Sequence, residues 1–498
     1  MGQFEFQVAQ PNRLPEFTSE TAHVIGIDRV PSPGATQWVG ETLFHRRASS
    51  ESGAFVVPWT VSPGQWMTAN TAFLRESAGP FLLERELARG MLHQARQTAF
   101  LLQHHGVAFD ADLSTRIDDT TRQFVRHLAR RVAEDAVDVI ESAFGLQERL
   151  AETLARHTDL LAYRTSSRDT LWRAGMVYQP FETTAEEDEF LQLFDTVAVD
   201  VRWREIEPQA GRFDWTSIDR WVEWGGRHER RVLLSNLVKL DAIHLPPWVC
   251  ELSHRPERVY HHVAAFLIAA VERYGGRVAA WECAAGFNLP GILGWNMEER
   301  LKLTMVALDT VRRQVPQRPL LVGFAQPWSE SLVQRTAEIS SFHFADMLLR
   351  ADLGVGGISI ELAWAYWPNG SLVRTGLQLH TMLRQWSLFH LPMFVRWSIP
   401  HHPCGAPVAD GTGKILFPAA GCPADGGWQA AELARTLPLC LAHHAVHGAV
   451  WASWRDDDAP QTPHTGMWDA ADDDSAAVRD AWRTAFAMAE ERSKSADR

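Results

Sequence analysis

The sequence predicts an α/β protein, a (β/α)8 TIM barrel preceded by a smaller β-rich and helical N-terminal region. From Leu171 onward, short apolar runs of strand length alternate with helical segments. Eight such units in about 320 residues satisfy a barrel that needs roughly 250 residues plus loops. The full chain of 498 residues exceeds one core, because single cores rarely grow past about 250 to 300 residues. The expected division is 1–165 for the N-terminal region, 166–490 for the barrel and 491–498 for a polar tail.

Taken in order, residues 1 to about 75 hold the short alternating segments "HVIGIDRV", "TQWVGETLFHRR" and "GAFVVPWTV", broken by Pro, Gly and Ser, which read as strands. From Pro80 the period changes. Leu83, Leu87, Met91, Ala95 and Leu102 fall mostly three to four apart and predict a helix that stops at "HHG". A second helical stretch is expected from Leu113 to Ala162, its early part dense in Arg, Asp and Glu as a solvated face would be.

The barrel strands are read in "AGMVY", "TVAVDVRW", "RVLLSNL", "VAAWECA", "PLLVGFA", "GISIELAW", "PMFVRWSI" and "GAVWASW". Helical spacing lies between them, as at Val259, Val263, Phe266 and Ala270, or Leu301, Met305, Leu308 and Val315. Working residues of such a barrel sit at the C-terminal ends of its strands.

Composition narrows the function. A formal charge of −13 without a long Lys/Arg cluster argues against nucleic acid. No stretch reaches the roughly 18 consecutive apolar residues of a membrane span. The N-terminus lacks a basic segment followed by an apolar run, and Cys250, Cys283, Cys404, Cys422 and Cys440 are odd in number and scattered, so a cytoplasmic protein with reduced thiols is expected. The 21 Trp against 5 Tyr are divided between core packing and flat platforms for sugar rings.

The stretch "FDTVAVDVRWREIEPQAGRFDWTSIDRWVEW" contains Trp203, Glu207, Pro208, Gly211, Phe213 and Trp215, with Asp219 following. This W-x-x-x-E-P-x-x-G-x-F-x-W pattern resembles glycoside hydrolase family 10, the retaining endo-β-1,4-xylanases. Further matches in family order are "LPPWV", "RYGGRVAAWE", "LPMFVRWSIP" and "HGAVWASWRD" followed by "TGMWD". The resemblance implies a (β/α)8 barrel that takes a β-glycan or oligosaccharide, with two catalytic glutamates about 5 to 5.5 Å apart. Laid on this chain, the family's acid/base motif puts Ala285 at its Asn and Gly286 at the acid. The nucleophile motif puts Arg396 and Trp397 where Thr and Glu belong. Neither carboxylate stands at its family position, and the strand 3 histidines are replaced by "SNLVKLDAIH".

Glu282 lies four residues before Gly286, deeper in the barrel, and is read as structural. Glu361 in "GISIELAW" is placed on the inner rim, where a buried carboxylate needs a cation such as Arg396 or a function. Glu361 and Asp456 are the fallback catalytic pair, with Asp241 as a second partner. The expected ligand contacts are Arg202, Trp203, Asp241, His244, Asn288, Gln326, Glu361, Arg396, Trp397, Trp451 and Trp454, alongside the aromatic residues Trp248, Trp364 and Trp367. The Pro- and Gly-rich segment 401–427 holds His401, His402, Cys404 and Cys422 without a zinc-type spacing, so it is read as a long lid loop with no metal, and no cofactor is expected.

Three functions follow. The first is a non-hydrolytic barrel that binds carbohydrate. The second is an active glycoside hydrolase with a displaced carboxylate pair. The third is an interaction scaffold in which the N-terminal region, through an exposed apolar face on the Leu83 to Leu102 helix, meets a protein partner or a second copy.

Overall fold

The computed structural model describes residues 2–496 other than 63, 77–78, 131–132, 158–170, 368, 402–407, 410–414, 417–426, 459–461, 463 and 470–472. The expected N-terminal boundary near 165, and His402, Cys404 and Cys422, lie outside the described residues.

The N-terminal unit opens with β1 (Gly2–Gln7), β2 (His23–Ile25), β3 (Gly34–Val39), β4 (Thr42–Arg47), β5 (Ala54–Ser62), β6 (Gln65–Asn70) and β7 (Phe81–Leu82). They form two sheets, of order β3-β4-β1-β7 and β2-β5-β6. Alternation sends Phe4 and Phe6 of β1 inward, and Phe6 stacks on Phe55 with ring centroids 4.4 Å apart. Three helices follow, Leu83–His104, Ala111–Arg130 and Ala133–Arg156, so the second helical stretch of the sequence is two helices.

Leu83, Leu87, Met91, Ala95 and Leu102 make the buried face of their helix, as their spacing predicts. That face is not open to a partner. It belongs to the chain's own core, and the helix Ala133–Arg156 lies against its helix, where Gln147 Nε2 donates to the Met91 carbonyl at 3.0 Å. Burial of such a face is worth about 25 cal/mol per Å² of apolar surface, so it is spent on the chain's own fold.

The barrel strands are β8 (Trp172–Val177), β9 (Thr196–Asp200), β10 (Arg231–Ser235), β11 (Ala280–Ala285), β12 (Leu320–Phe324), β13 (Gly357–Ala363) and β14 (Met393–Ser398). A small antiparallel pair, β15 (Val408–Ala409) and β16 (Ile415–Leu416), precedes the last strand, β17 (Val446–Trp451). The barrel closes in the order β8-β9-β10-β11-β12-β13-β14-β17 with parallel neighbours throughout. All eight strands expected from the sequence are present.

Ala174, Met176, Ala198, Leu233, Ala280, Leu321, Phe394 and Val450 form a separate apolar cluster inside the barrel. Between the strands and the solvent, helices such as Pro256–Tyr274 bury Val259, Val263, Phe266 and Ala270. In the helix Met297–Gln314 the buried face is Leu303, Ala307, Leu308 and Val311. Leu301 and Met305 lie at its edge, and Val315 follows the last turn.

The N-terminal unit is docked on the barrel by polar contacts. Thr68 donates both its N–H and its hydroxyl to the Val373 carbonyl, at 3.0 and 2.9 Å. Thr375 Oγ1 donates to Gln147 Oε1 at 2.7 Å, and the Gly376 N–H donates to Glu148 Oε1 at 3.0 Å. No described helix is long and apolar enough to cross a membrane.

Candidate functional site at the barrel mouth

A bulge in β11 and the alternation of β14 decide which side chains reach the C-terminal mouth. A bulge in β11 shifts the register between Glu282 and Ala284, and a bulge adds one residue to a strand and resets its alternation. Glu282 and Ala285 therefore both face Gly323 on the inner side. Gly286, at φ +69°, is already the turn. In β14, Phe394 belongs to the interior cluster, and Arg396 and Ser398 line the mouth. Trp397 is fully buried on the other face, where its Nε1 donates to Thr436 Oγ1 in the helix Trp428–Ala442 at 3.3 Å. Trp397 thus neither plugs the mouth nor occupies an inward position. Alternation puts Arg396 and Ser398 there.

What fills the mouth is a network of charges. The polar residues Asp200, Arg202, Asn236, Lys239, His244, Glu361, Arg396 and Asp458 surround a gap of about 40 Å³. Small-molecule sites usually span roughly 300 to 1,000 Å³. Asp200 ends β9 and accepts from His244 Nε2 at 2.9 Å, from Asn236 Nδ2 at 2.6 Å and from Arg202 Nε at 3.1 Å. Asn236 follows β10 in the left-handed region, φ 55°, which Asn tolerates better than most residues. That turn aims its N–H at Glu282 Oε2, 3.1 Å away, and its side-chain carbonyl at Arg396 NH1, 3.1 Å away. Arg396 NH2 meets Glu282 Oε2 at 2.5 Å. Glu282 is thus the structural interior carboxylate that the sequence suggested.

The electrostatics follow from burial. His244 lies between Asp200 and Asp241, the latter 2.7 Å from its Nδ1. Burial opposes its charge, but the two carboxylates outweigh it and raise its pKa to about 9. His244 is therefore an imidazolium that donates on both sides. Burial also opposes ionisation of Asp200, yet His244, Arg202 and the Asn236 amide hold it well below the ordinary carboxylate range. Lys239 is raised against burial by Glu361 and Asp241, and Arg396 by Glu282 and Glu361.

Asp458 behaves differently. Burial pushes it up to about 6, only partly offset by the N–H groups of Gln179 and Arg455, which its two oxygens accept at 3.0 and 3.1 Å. Sequence reasoning passed over Asp200 and Asn236, single polar residues at the ends of apolar strands, and read Asp458 only as part of the solvated acidic run Asp456–Asp458. The one local signal was the polar pair Ser235-Asn236 closing an apolar strand.

The other expected contacts are placed as follows. Arg202, His244, Glu361 and Arg396 line the mouth, and Asp241 supports it through His244. Asn288 ties two loops together, donating to the Ala325 carbonyl at 2.8 Å and to Ser341 Oγ at 2.9 Å, and does not line the gap. Gln326, buried at φ 49°, is a turn residue that accepts the Ser329 N–H through its carbonyl. Trp203, Trp451 and Trp454 are core, each 1% exposed or less, so no ring face among them is open to a sugar. Trp364 is also buried. Asp456 turns away from the gap to His401 and the Gly466 N–H, whereas Asp458 and Thr462 of this loop line the cleft with Glu361.

The Trp203 motif has a structural explanation. Trp203 Nε1 donates to Glu207 Oε2 at 2.6 Å, and Glu207 Oε1 accepts the Gly211 N–H at 2.6 Å. Gly211 sits at φ +78°, which favours glycine. Trp203 and Trp215 then stack on Phe266 at 4.9 and 5.8 Å.

Another void, of about 280 Å³, lies between the N-terminal unit and the barrel, lined by His23, Trp328, Phe342 and Arg374 among others.

No protein of curated function matches the chain. Among solved structures, it is similar to native xylanase 10B from Thermotoga maritima, at 13% identity and TM-score 0.48, covering 65% of this chain and 97% of that one. It is also similar to xylanase 10B from Thermotoga petrophila RKU-1 in complex with xylobiose, at 13% identity and TM-score 0.46, covering 65% and 98%. The family model of glycosyl hydrolase family 10 matches residues 175–285, from β8 through β11, the part of the barrel that holds the Trp203 knot and the Asp200–Asn236–Glu282 side of the mouth.

Proposed function

We propose that this chain is a carbohydrate-related barrel of the family 10 type that binds an oligosaccharide or β-glycan without hydrolysing it. One observation carries the reading. Of the carboxylates at the mouth, Asp200 is committed to His244, Asn236 and Arg202, Glu282 to Arg396, and Asp458 to the N–H groups of Gln179 and Arg455, while Glu361 faces the cations Lys239 and Arg396. Retaining hydrolysis needs one free carboxylate as nucleophile and a protonated partner about 5 to 5.5 Å away. A gap of about 40 Å³ admits a hydroxyl group or a water rather than a pyranose ring. The ligand of this reading therefore lies across the lip, with Lys239 and Glu361 as its hydrogen-bond partners.

A second reading is favoured by Asp458. A carboxylic acid raised to about 6 in the same cleft as Glu361 supplies the two kinds of group, proton donor and carboxylate, that glycoside hydrolysis uses. The test measures reducing ends released from xylan and a panel of β-glycans by the full chain, with Glu361→Gln and Asp458→Asn beside it. Xylo-oligosaccharide binding is followed by calorimetry. No turnover with saturable binding is expected. Turnover abolished by both substitutions overturns the first reading in favour of the second, and absence of both turnover and binding refutes the carbohydrate assignment.

A further inference from the structure

We propose that His401, Asp456 and His464 form a site for one divalent cation of the zinc class, at the outer lip of the barrel. The inference is independent of what the mouth binds. His401 lies three residues beyond β14. Asp456 and His464 belong to the loop that follows β17. The nearest atoms of the three side chains that can ligate a metal all lie within 4.8 Å of one another. His401 Nε2 is 2.9 Å from Asp456 Oδ2, and His464 Nδ1 is 3.6 Å from the same oxygen. Tetrahedral zinc with bonds of about 2.0 to 2.1 Å requires donors about 3.4 Å apart. Side-chain shifts of about an ångström therefore convert the present cluster into a coordination set.

The surroundings are arranged as a second shell. The Gly466 N–H donates to Asp456 Oδ1 at 2.7 Å, which turns the other oxygen toward the two imidazoles. A Cβ on Gly466 would stand 2.7 Å from the Asp456 nitrogen, so the approach requires glycine. The His401 N–H donates to the His464 carbonyl at 2.8 Å, and the Ile399 N–H to Thr465 Oγ1 at 2.8 Å, so both loops are held in register. The imidazole rings meet at 90° with centroids 5.5 Å apart, and so do not stack on one another. Such outer contacts fix ligand orientation in metal sites.

A void of about 110 Å³ adjoins the cluster, lined by His401, Asp456, Asp469 and Ser475 among others. Water occupies about 30 Å³, so the space on the His401 and Asp456 side of the cluster has room for water. Asp456 and His464, at 40% and 43% side-chain exposure, leave an entry path. Two imidazoles with one carboxylate favour Zn²⁺, Co²⁺ or Ni²⁺ over Mg²⁺ or Ca²⁺, which prefer all-oxygen shells. The bound ion would clamp the loop after β14 to the loop that carries Asp458 into the mouth.

The test titrates full-length protein, stripped with chelator and desalted, with Co²⁺ followed by its visible absorption and with Zn²⁺ by calorimetry. One equivalent is expected, weakened by about tenfold or more in His464→Ala and in Asp456→Asn, and unchanged in His105→Ala. Circular dichroism in chelator checks each fold. If Asp456→Asn does not fold, the exposed His464→Ala decides. Absence of stoichiometric binding, or binding that survives the substitutions and so lies elsewhere in the chain, overturns the proposal.

Discussion

Replacing Arg396 by Met tests whether the mouth is held shut by charge. Glu282 is 1% exposed, and its Oε2 accepts from Arg396 and from the Asn236 N–H. Its Oε1 has no hydrogen-bond partner among the described residues. Without the guanidinium, a buried carboxylate is left with a single backbone donor, and the Asn236 side-chain carbonyl loses its donor. Breaking a buried pair in this way costs about 3 to 5 kcal/mol. Neutralising the stranded acid should return much of that. In Arg396→Met/Glu282→Gln the amide oxygen still accepts the Asn236 N–H and no charge remains buried. The double variant is therefore expected to exceed Arg396→Met in stability by about 2 kcal/mol or more. Urea unfolding followed by far-ultraviolet circular dichroism measures both. A loss below about 1 kcal/mol for the single variant, or a double variant no better than the single, would refute the reasoning, since it would mean that the pair is solvated.

Three further outcomes are expected. His244, raised from 6.5 to about 9, contributes stability that is complete below 6.5 and is lost as pH rises through about 9. The ceiling is about 3 kcal/mol, and unfolding free energies measured across that window should fall in the native chain and stay flat in His244→Gln. Gly376→Ala would place a Cβ 2.4 Å from Ala151 Cβ, which should cost about 1 to 3 kcal/mol, visible as a lowered urea midpoint. Trp203→Phe keeps an aromatic ring, smaller than the indole, but strands Glu207 Oε2, and a loss of about 1 to 3 kcal/mol or more in the same assay is expected.

The barrel was legible because each strand is a short apolar run set off from a helix by period. The inward face of two strands was not. In "VAAWECAAG", strict alternation puts Gly286 on the side of Glu282, but the bulge moves that place to Ala285. In "FVRWSI", motif alignment put Trp397 inside, whereas the strand turns it to the helices. The mouth network was half legible. Arg202, His244, Glu361 and Arg396 stood out as charges near strand ends, while Asp200 and Asn236 gain their roles only when β9, β10 and β14 meet. The Leu83 to Leu102 face was read correctly as apolar, but its cover lies some 50 residues later, at Gln147 and its helix, beyond any local pattern. Cluster chemistry built from residues 401, 456 and 464 has no spacing signature for the same reason.

The contact at Gly376 bears on where the chain can be divided. The helix Gly376–Trp386 begins with its first N–H satisfied by Glu148, and Arg435 of the next barrel helix reaches the same carboxylate at 3.2 Å. Its N-cap Thr375 hydroxyl donates to Gln147. A barrel cut free of residues 1–165 would leave these donors on an apolar face stripped of Ala151 and its neighbours. The N-terminal unit is in this sense a missing wall of the barrel, and screening or engineering should treat the two as one folding unit.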